Sequence, residues 1–322
     1  MPELTLRSLR VFEAAASTRS FTRAAELLDL SQAAVSQQIR QLEQEVSAKL
    51  FDTAVRPVRI TEAGYELLRH ARTILAQLSI AMEALCSLDG QYQGRLCIGV
   101  VRPANYFVAQ LMEAFRLRYP NVRMKLVIDK RDPLLAMLAD HRIDIAIGGY
   151  PPVQAEVDAE AFARNPHFLV APSSHRLAGQ RGLNWADLSG EPFVLREQGS
   201  ATRHFLEHML QTQGLQVRTD FELEGNEAVK HAVMLGLGLS FLSGHVIQTE
   251  LEAGKLVTLD VAGMPKCLDW CVWRRREAYT SALPDAFRAF LLEEGARHCA
   301  CPLGTPAPQL PWMAVHSDPR MI

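Results

Sequence analysis

Between residues 20 and 43, apolar positions alternate with polar ones at the spacing of two consecutive helices. Ser20 is placed to cap the first helix, whose inward face carries small alanines that let a second helix cross it closely. Asp29 and Leu30 form the turn, and Ser31 is placed to cap the second helix. The inward face of this second helix consists of Ala34, Val35, Ile39 and Leu42. The pattern predicts a helix-turn-helix.

After this helix pair the sequence predicts a small β-wing and then one long helix. Residues 54–60 alternate apolar and basic positions around Pro57, as a short hairpin would. Between Thr61 and Gly90, apolar residues recur at alternating steps of four and three. They are Leu67, Ala71, Ile74, Leu78, Ala81, Leu85 and Leu88. This seam predicts a helix that pairs with a second copy of the chain, and packing within the chain is the alternative left open.

Beyond residue 90 the pattern changes to apolar strands separated by amphipathic helices, which predicts an α/β domain with largely parallel sheets. About 200 residues of this pattern favour two lobes over one. The Pro-rich, aperiodic end of the chain predicts a disordered tail. The predicted fold is thus α plus α/β: a winged helix-turn-helix at 1–60, a linker and dimerisation helix at 61–90, a two-lobed effector domain at 91–298 and a tail at 299–322.

Composition narrows the class of protein. No stretch approaches the roughly 20 apolar residues that a membrane span needs, and the first ten residues lack the pattern of an export signal. The six cysteines show no C-x-x-C spacing, which favours thiols in a reducing compartment over disulfides or zinc. We therefore expect a cytoplasmic protein without metal or cofactor. The net charge of −2 decides nothing about nucleic acid, because a sum over the chain hides local patches.

An enzyme and a solute-binding protein are the rival classes. The sequence contains neither an H-E-x-x-H pattern, nor a G-x-S-x-G turn, nor a glycine-rich nucleotide loop, which argues against an enzyme. A solute-binding protein shares the two-lobed design, but the absent export signal and the extra 90 N-terminal residues favour a regulator.

The outward face of the second helix is the predicted surface for reading DNA. Its short and amide-bearing side chains suit contacts to base edges in the major groove, and the helix N-terminus with the Ser31 hydroxyl can meet a phosphate. Nearby arginines are placed where further phosphates would lie, although each one singly is also an ordinary solvated charge. The predicted DNA-binding residues are Arg23, Ser31, Gln32, Ala33, Ser36, Gln37, Arg40, Arg56 and Arg59.

A second predicted site lies at strand ends of the α/β domain. Between Arg196 and Arg203 a strand ends, Gly199 turns the chain and Ser200 begins a helix, so N–H groups, hydroxyls and guanidinium groups converge. The loop 101–105 has the same placement, and open α/β sheets bind ligands at such ends. Helix capping and surface ion pairs are the alternatives. The predicted effector-binding residues are Arg102, Pro103, Asn105, Gly148, Arg196, Ser200, Thr202, Arg203 and Asn226.

The segment FTRAAELLDLSQAAVSQQIRQLEQEVSAKLFD, followed by RPVRITEAG, resembles the N-terminal signature of LysR-type transcriptional regulators. Ala33 replaces a common proline, Ser47 a common glycine and Thr53 an arginine that contacts the DNA backbone. The resemblance implies binding to an inverted repeat in promoter DNA, communication with RNA polymerase, and a homotetramer built as a dimer of dimers.

Most of residues 94–295 resembles the effector domains of the CbbR group, which controls carbon dioxide fixation operons, in pieces such as LREQGSATR and GNEAVKHAV. The resemblance implies a periplasmic-binding-protein-like domain that binds a small metabolite between its lobes, and an anionic one is expected. Ligand-dependent closure of the lobes would then change the spacing of the DNA-binding heads. The first loop departs from the group, where Ser or Thr and lysine are usual, and this leaves room for a different effector.

Overall fold

The computed structural model of the protein describes residues 4–54, 57–87, 92–152, 155–276 and 281–301. Its N-terminal part is a head made of helices and a short antiparallel hairpin. These elements are α1 (Leu6–Thr18), α2 (Phe21–Leu27), α3 (Gln32–Glu45), β1 (Phe51–Asp52) and β2 (Arg59–Ile60).

The helix pair forms for the reasons read from the sequence. Ser20 accepts a hydrogen bond from the backbone N–H of Arg23 at 3.3 Å, and Ser31 accepts one from Ala34 at 3.1 Å, so both serines cap their helices. The inward face of α3 is buried at Val35, Ile39 and Leu42. The predicted caps and three of the four predicted inward residues are confirmed, whereas Ala34 is only half-buried.

The wing begins earlier than the sequence pattern suggested. Phe51 and Asp52 pair with Ile60 and Arg59, so the first strand precedes the predicted stretch 54–60. Phe51 is buried, and the rings of Phe12 and Phe21 lie 5.5 and 5.3 Å from its ring centre. This aromatic anchor fixes the wing against the helices, because edge-to-face contacts stabilise the ring beyond what its burial alone contributes.

The long helix α4 (Glu62–Ser87) follows the wing directly. Gly64 is required near its start, since a Cβ there would lie 2.3 Å from the carbonyl oxygen of Leu50. Ala71 is buried within the head, whereas Ile74 and Met82 are exposed. The predicted seam therefore divides: Ala71 packs within the chain, whereas Ile74 is exposed, as is Met82 on the same helix. Residues 88–90 of the predicted linker lie outside the described residues.

Lobe 1 of the effector domain begins with parallel β/α units. Its elements are β3 (Gly94–Val101), α5 (Val108–Arg118), β4 (Val122–Asp129), α6 (Arg131–Ala139) and β5 (Ile145–Gly148). Strand β3 pairs in parallel with β4 on one side and with β5 on the other. Residues 102–106 form a 3₁₀ turn between β3 and α5.

Two long strands, β6 (Val157–Pro172) and β11 (Lys266–Arg275), connect the lobes. The first half of β6 pairs with β11, which also pairs with β5 of lobe 1. The second half of β6 pairs with strands of lobe 2, and all these pairings of β6 and β11 are antiparallel. The predicted largely parallel sheets are therefore corrected, because β6 leads the chain out of lobe 1 and β11 brings it back in the opposite direction. The elements of lobe 2 are β7 (Pro192–Arg196), α7 (Ala201–Thr212), β8 (Arg218–Leu223), α8 (Asn226–Met234), β9 (Ser240–Ser243), α9 (Gly244–Glu252) and β10 (Leu256–Thr258).

The chain returns to lobe 1 through α10 (Ala282–Phe290). Cys299 and Cys301 are buried, and the carbonyl oxygen of Cys299 lies 2.8 Å from Nε2 of His245 in lobe 2. The predicted tail boundary at residue 299 is therefore corrected, because the packed domain extends through Cys301. Residues 302–322 of that predicted tail lie outside the described residues. In the part of the chain that is described, no helix combines the length and apolar character needed to cross a membrane.

Candidate functional site

The head carries an open groove of about 920 Å³ between α2, α3 and the wing. Basic and polar side chains from these elements and their connections line the groove. They include Arg19, Arg23, Gln32, Ser36, Arg40, Lys49 and Thr53. Several predicted DNA-binding residues therefore share one concave surface, where exposed arginines are positioned to neutralise phosphates.

The outward face of α3 projects past this groove. Ala33 and Gln37 are exposed there, and Arg59 is exposed on β2 of the wing. The amide nitrogen of Gln32 donates to Ser36 Oγ at 2.9 Å, which orients both side chains along the helix. A helix with this short, polar face is of a size to enter the major groove of DNA. Arg56 lies outside the described residues.

Glu43 is a residue of the head that the sequence interpretation missed. Its side chain is buried on the inward side of α3, one turn after Ile39. Oε1 accepts hydrogen bonds from the backbone of Leu50 at 2.9 Å and Phe51 at 3.3 Å, and Oε2 lies 2.7 Å from Lys49 Nζ. Burial raises the pKa of Glu43, but these hydrogen bonds outweigh it and hold the pKa below its usual value. Glu43 thus ties α3 to the first strand of the wing.

Polar contacts cross the cleft between the two lobes. Arg102 of lobe 1 places Nη1 3.1 Å from Oε1 of Glu224 in lobe 2, and Lys130 Nζ lies 3.1 Å from the same oxygen. The hydroxyl of Tyr106 donates to Glu227 at the start of α8. Burial and this hydrogen bond raise the pKa of Tyr106. Cations of lobe 1 therefore face carboxylates of lobe 2.

Arg196 and Asn226 form a buried pair in lobe 2. Arg196, at the end of β7, donates to Oδ1 of Asn226 and, at 2.8 Å, to Oε2 of Glu197. Burial raises the pKa of Glu197, but the hydrogen bond and charge of Arg196, together with backbone N–H groups, outweigh it, and the pKa falls to about 2. The N-cap residue of α8 is Gly225, and Oδ1 of Asn226 accepts from Arg196, so the capping alternative does not apply to Asn226. Both predicted residues lie together at the cleft end of β7 and α8.

Arg203 follows the ion-pair alternative. Its guanidinium contacts Glu207 at 2.7 Å, Glu222 at 2.5 Å and the backbone carbonyl of Arg196 at 3.0 Å. These contacts all lie within lobe 2, so Arg203 braces the loop after β7 against β8. Arg102, which the sequence indicated, and Lys130, which it did not, are cations that pair with a carboxylate of the opposite lobe.

The other predicted effector residues differ in their burial and in their local structure. Ser200 occupies the N-cap position of α7 without a side-chain capping hydrogen bond, and both it and Thr202 are half-buried. Pro103 is half-buried in the 3₁₀ turn after β3, and Asn105 is exposed there. Packing requires glycine at position 148, because a Cβ there would lie 2.2 Å from the ring of Trp273.

One histidine pair has the spacing of a zinc motif but not the surroundings of one. His204 and His208 flank Glu207 in an H-x-x-E-H pattern on α7. Glu207, however, binds Arg203. Over the described ranges, no group of three or more His, Cys, Asp or Glu side chains is arranged to hold a metal ion.

The fold and the two surfaces define a class: a regulator that joins a DNA-binding helix-turn-helix to a two-lobed sensing domain. Family models agree. Residues 6–65 match "Bacterial regulatory helix-turn-helix protein, lysR family", and residues 89–296 match "LysR substrate binding domain". The chain belongs to the LysR family of transcriptional regulators. It is a DNA-binding regulator of transcription and not an enzyme, in agreement with the sequence prediction.

Named relatives support the predicted likeness to the CbbR group. The chain is 45% identical to the RuBisCO operon transcriptional regulator of Allochromatium vinosum over 92% of this chain and 98% of the relative. It is 40% identical to CbbR of Rhodospirillum rubrum over 91% of this chain and 97% of that one. Among solved structures, the regulatory domain of CcmR from Synechocystis PCC6803 in complex with 2-PG has a TM-score of 0.59 and 30% identity, covering 62% of this chain and 96% of that domain.

Proposed function

We propose that the head places α3 in the major groove of an inverted repeat in promoter DNA while the wing contacts the backbone. The observation that supports this is the shared groove of α3 and the wing, with exposed Arg23 and Arg40 beside the polar face. The heads are presented in pairs by α4, in a dimer of dimers that communicates with RNA polymerase in the cytoplasm. By likeness to its relatives, the protein controls a carbon dioxide fixation operon.

We further infer that a small anionic metabolite binds between the lobes and changes their closure. Arg102 and Lys130 supply positive charge on the lobe 1 side of the cleft, and the start of α7 with Ser200 and Thr202 supplies N–H and hydroxyl donors. A ligand regulates only through different affinities for two arrangements. The 2-PG complex of the CcmR domain makes phosphorylated carboxylates the first compounds to test.

Binding to promoter DNA tests the head. Gln37→Ala should change the preference among base sequences, because Gln37 lies on the predicted reading face. Arg59→Ala should weaken binding to all sequences alike and lower the dependence of log K on log salt by about one phosphate contact. The measurement is fluorescence anisotropy on a panel of mutated operators at two salt concentrations. Equal, sequence-independent losses in both variants would remove Gln37 from the reading face.

Calorimetric titration with 2-PG tests the cleft. Arg102→Ala should reduce the affinity of the full-length protein roughly tenfold or more, since a charged hydrogen bond to the ligand is lost. Arg181→Ala, which changes an exposed arginine of lobe 2, is the matched control and should leave the affinity unchanged. Equal binding by wild type and Arg102→Ala would refute the assignment of Arg102 to the site.

A further inference from the structure

Arg102 and Lys130 are brought together by the register of two adjacent strands. Strand β3 pairs in parallel with β4, and Val101 lies opposite Asp129. Arg102 and Lys130 are the first residues after these two strands, so both lie at the same edge of the sheet. Two cations side by side are a ready binding point for a carboxylate or phosphate oxygen.

Glu224 already supplies such an oxygen. It lies in the connection between β8 and α8 of lobe 2, and its Oε1 is 3.1 Å from both Arg102 Nη1 and Lys130 Nζ. Lys130, and then Arg102, hold the pKa of Glu224 below its usual value, so the carboxylate is charged at neutral pH. A second carboxylate, Glu197, stands 3.9 Å from Arg102.

The ion pairs of Glu224 can compete with a bound anion, and they are weak enough for that anion to displace them. The side chain of Glu224 is 60% exposed, and those of Arg102 and Lys130 are 36% and 45% exposed. Ion pairs at such exposure are individually weak because water screens them. A phosphate carries more charge and more oxygens than one carboxylate, and can engage each cation separately.

We propose that Glu224 is an internal anion that competes with the effector for Arg102 and Lys130, and so sets the affinity of the cleft for its ligand. The proposal rests on the proposed function, in which an anionic effector binds at these cations. Displacement of Glu224 also breaks a link between the lobes, because the cations belong to lobe 1 and the carboxylate to lobe 2. Glu224 therefore helps to set the affinity for the effector, and it does not itself need to touch the ligand.

Titration of the full-length protein with 2-PG tests this competition. Glu224→Gln keeps the shape of the side chain but removes its charge, and should bind 2-PG about three- to tenfold more tightly than wild type. Asp220→Asn is the matched control: Asp220 is on β8 of the same lobe, is similarly exposed and pairs with Arg218, away from the opposite lobe. It should bind 2-PG within about twofold of wild type.

The outcomes separate the two proposals. Tighter binding by Glu224→Gln alone supports the competition, since removal of a merely structural contact does not improve affinity. If wild type binds 2-PG and Glu224→Gln binds it equally or more weakly, the competition is refuted while the anion site stands. If both variants bind 2-PG more tightly by the same factor, the loss of any negative charge explains the gain, and the specific competition by Glu224 is refuted. If neither wild type nor Glu224→Gln binds 2-PG, the anion site is refuted and the competition with it.

Discussion

Ser47 completes the C-terminal cap of α3 in a left-handed conformation, with a φ of 52°. The N–H of Ala48 donates to the carbonyl of Glu43 at 3.1 Å, and the N–H of Ser47 donates to Gln44 at 3.2 Å. This pair of bonds is a Schellman motif, in which glycine is usual at the position of Ser47 because it lacks a Cβ. Glycine is common at this position in the family because the backbone there is left-handed. Ser47 adopts the same conformation, at some cost in free energy.

Ser47→Gly should stabilise the head. Removal of the Cβ relieves the left-handed strain, partly offset by the greater freedom of glycine in the unfolded chain, for a net gain of about 0.5–1 kcal/mol. Thermal unfolding of the full-length protein measures the effect, with Ser47→Ala as a control that keeps the Cβ. A lower melting temperature for the glycine variant would contradict this account.

His167 makes the stability of lobe 2 depend on pH. It is buried, donates its Nδ1–H at 3.0 Å to the backbone carbonyl oxygen of Asn165, and stacks 5.2 Å from the ring of Phe241. Burial lowers the pKa of His167 to about 4. In the unfolded chain it titrates near its ordinary value of about 6.5, so between these values the unfolded chain binds more protons. Stability from this group is complete above pH 6.5 and falls as the pH falls.

Lowering the pH from 7 to 5 should therefore reduce the free energy of unfolding by about 2 kcal/mol through His167. Urea unfolding at the two pH values measures the difference in wild type and in His167→Gln. The variant should be less stable at pH 7 but should show a smaller loss on acidification. Burial also lowers the pKa of His245, so His245 makes both wild type and the variant less stable at low pH. If His167→Gln lost as much stability on acidification as wild type, His167 would be excluded as the cause.

At the scale of elements, the reading helix and the wing act as one unit because Glu43 bonds α3 to β1. The sequence predicted both elements, and the caps and inward face of α3 followed from local chemistry. It did not reveal the link between them, although a charged residue four positions after Ile39 on the inward stripe is a detectable signal. The partner amides belong to residues 50 and 51, which the helical pattern does not include.

Glu43→Ala should uncouple the wing. The backbone N–H groups of Leu50 and Phe51 would be left without their acceptor in a buried setting, at a cost of about 2–3 kcal/mol. Glu43→Gln keeps an acceptor oxygen for both and should lie close to wild type. Thermal unfolding and operator affinity should both fall in the alanine variant, and equal behaviour of the two variants would deny Glu43 this positioning role.

At the scale of the whole molecule, α4 connects the head to the effector domain and exposes Ile74 and Met82. Arg72 on this helix contacts Ser17 of the head at 3.2 Å and Asp140 of lobe 1 at 3.4 Å. The early apolar positions of the seam are used within the head, as one of the two alternatives anticipated. Ile74 and Met82 are exposed by 46% and 55%, and we propose that a second copy covers this apolar surface.

Ile74→Glu should weaken dimerisation. A carboxylate placed in an apolar helix seam must be desolvated without a partner, so the dimer dissociation constant should rise at least tenfold. Analytical ultracentrifugation of the full-length protein measures it. Gln77→Glu, which adds the same charge at an exposed polar position of α4, should leave the assembly intact. An unchanged dimer dissociation constant in Ile74→Glu would show that the interface does not include this face of α4.

The sequence by itself determined the order of the parts: capped helix pair, wing, long helix, and a two-lobed α/β domain. Each of these depends on residues within one or two turns or one strand, such as Ser31 and its cap or the alternation around Pro57, and periodicity reports such local relations. Tertiary structure alone decided how charges pair across the lobes. Arg102 and Glu224 are 122 positions apart, and Arg203 pairs with Glu222, which is 19 positions away on β8. Such partners are chosen by strand register and lobe packing, which no local pattern encodes.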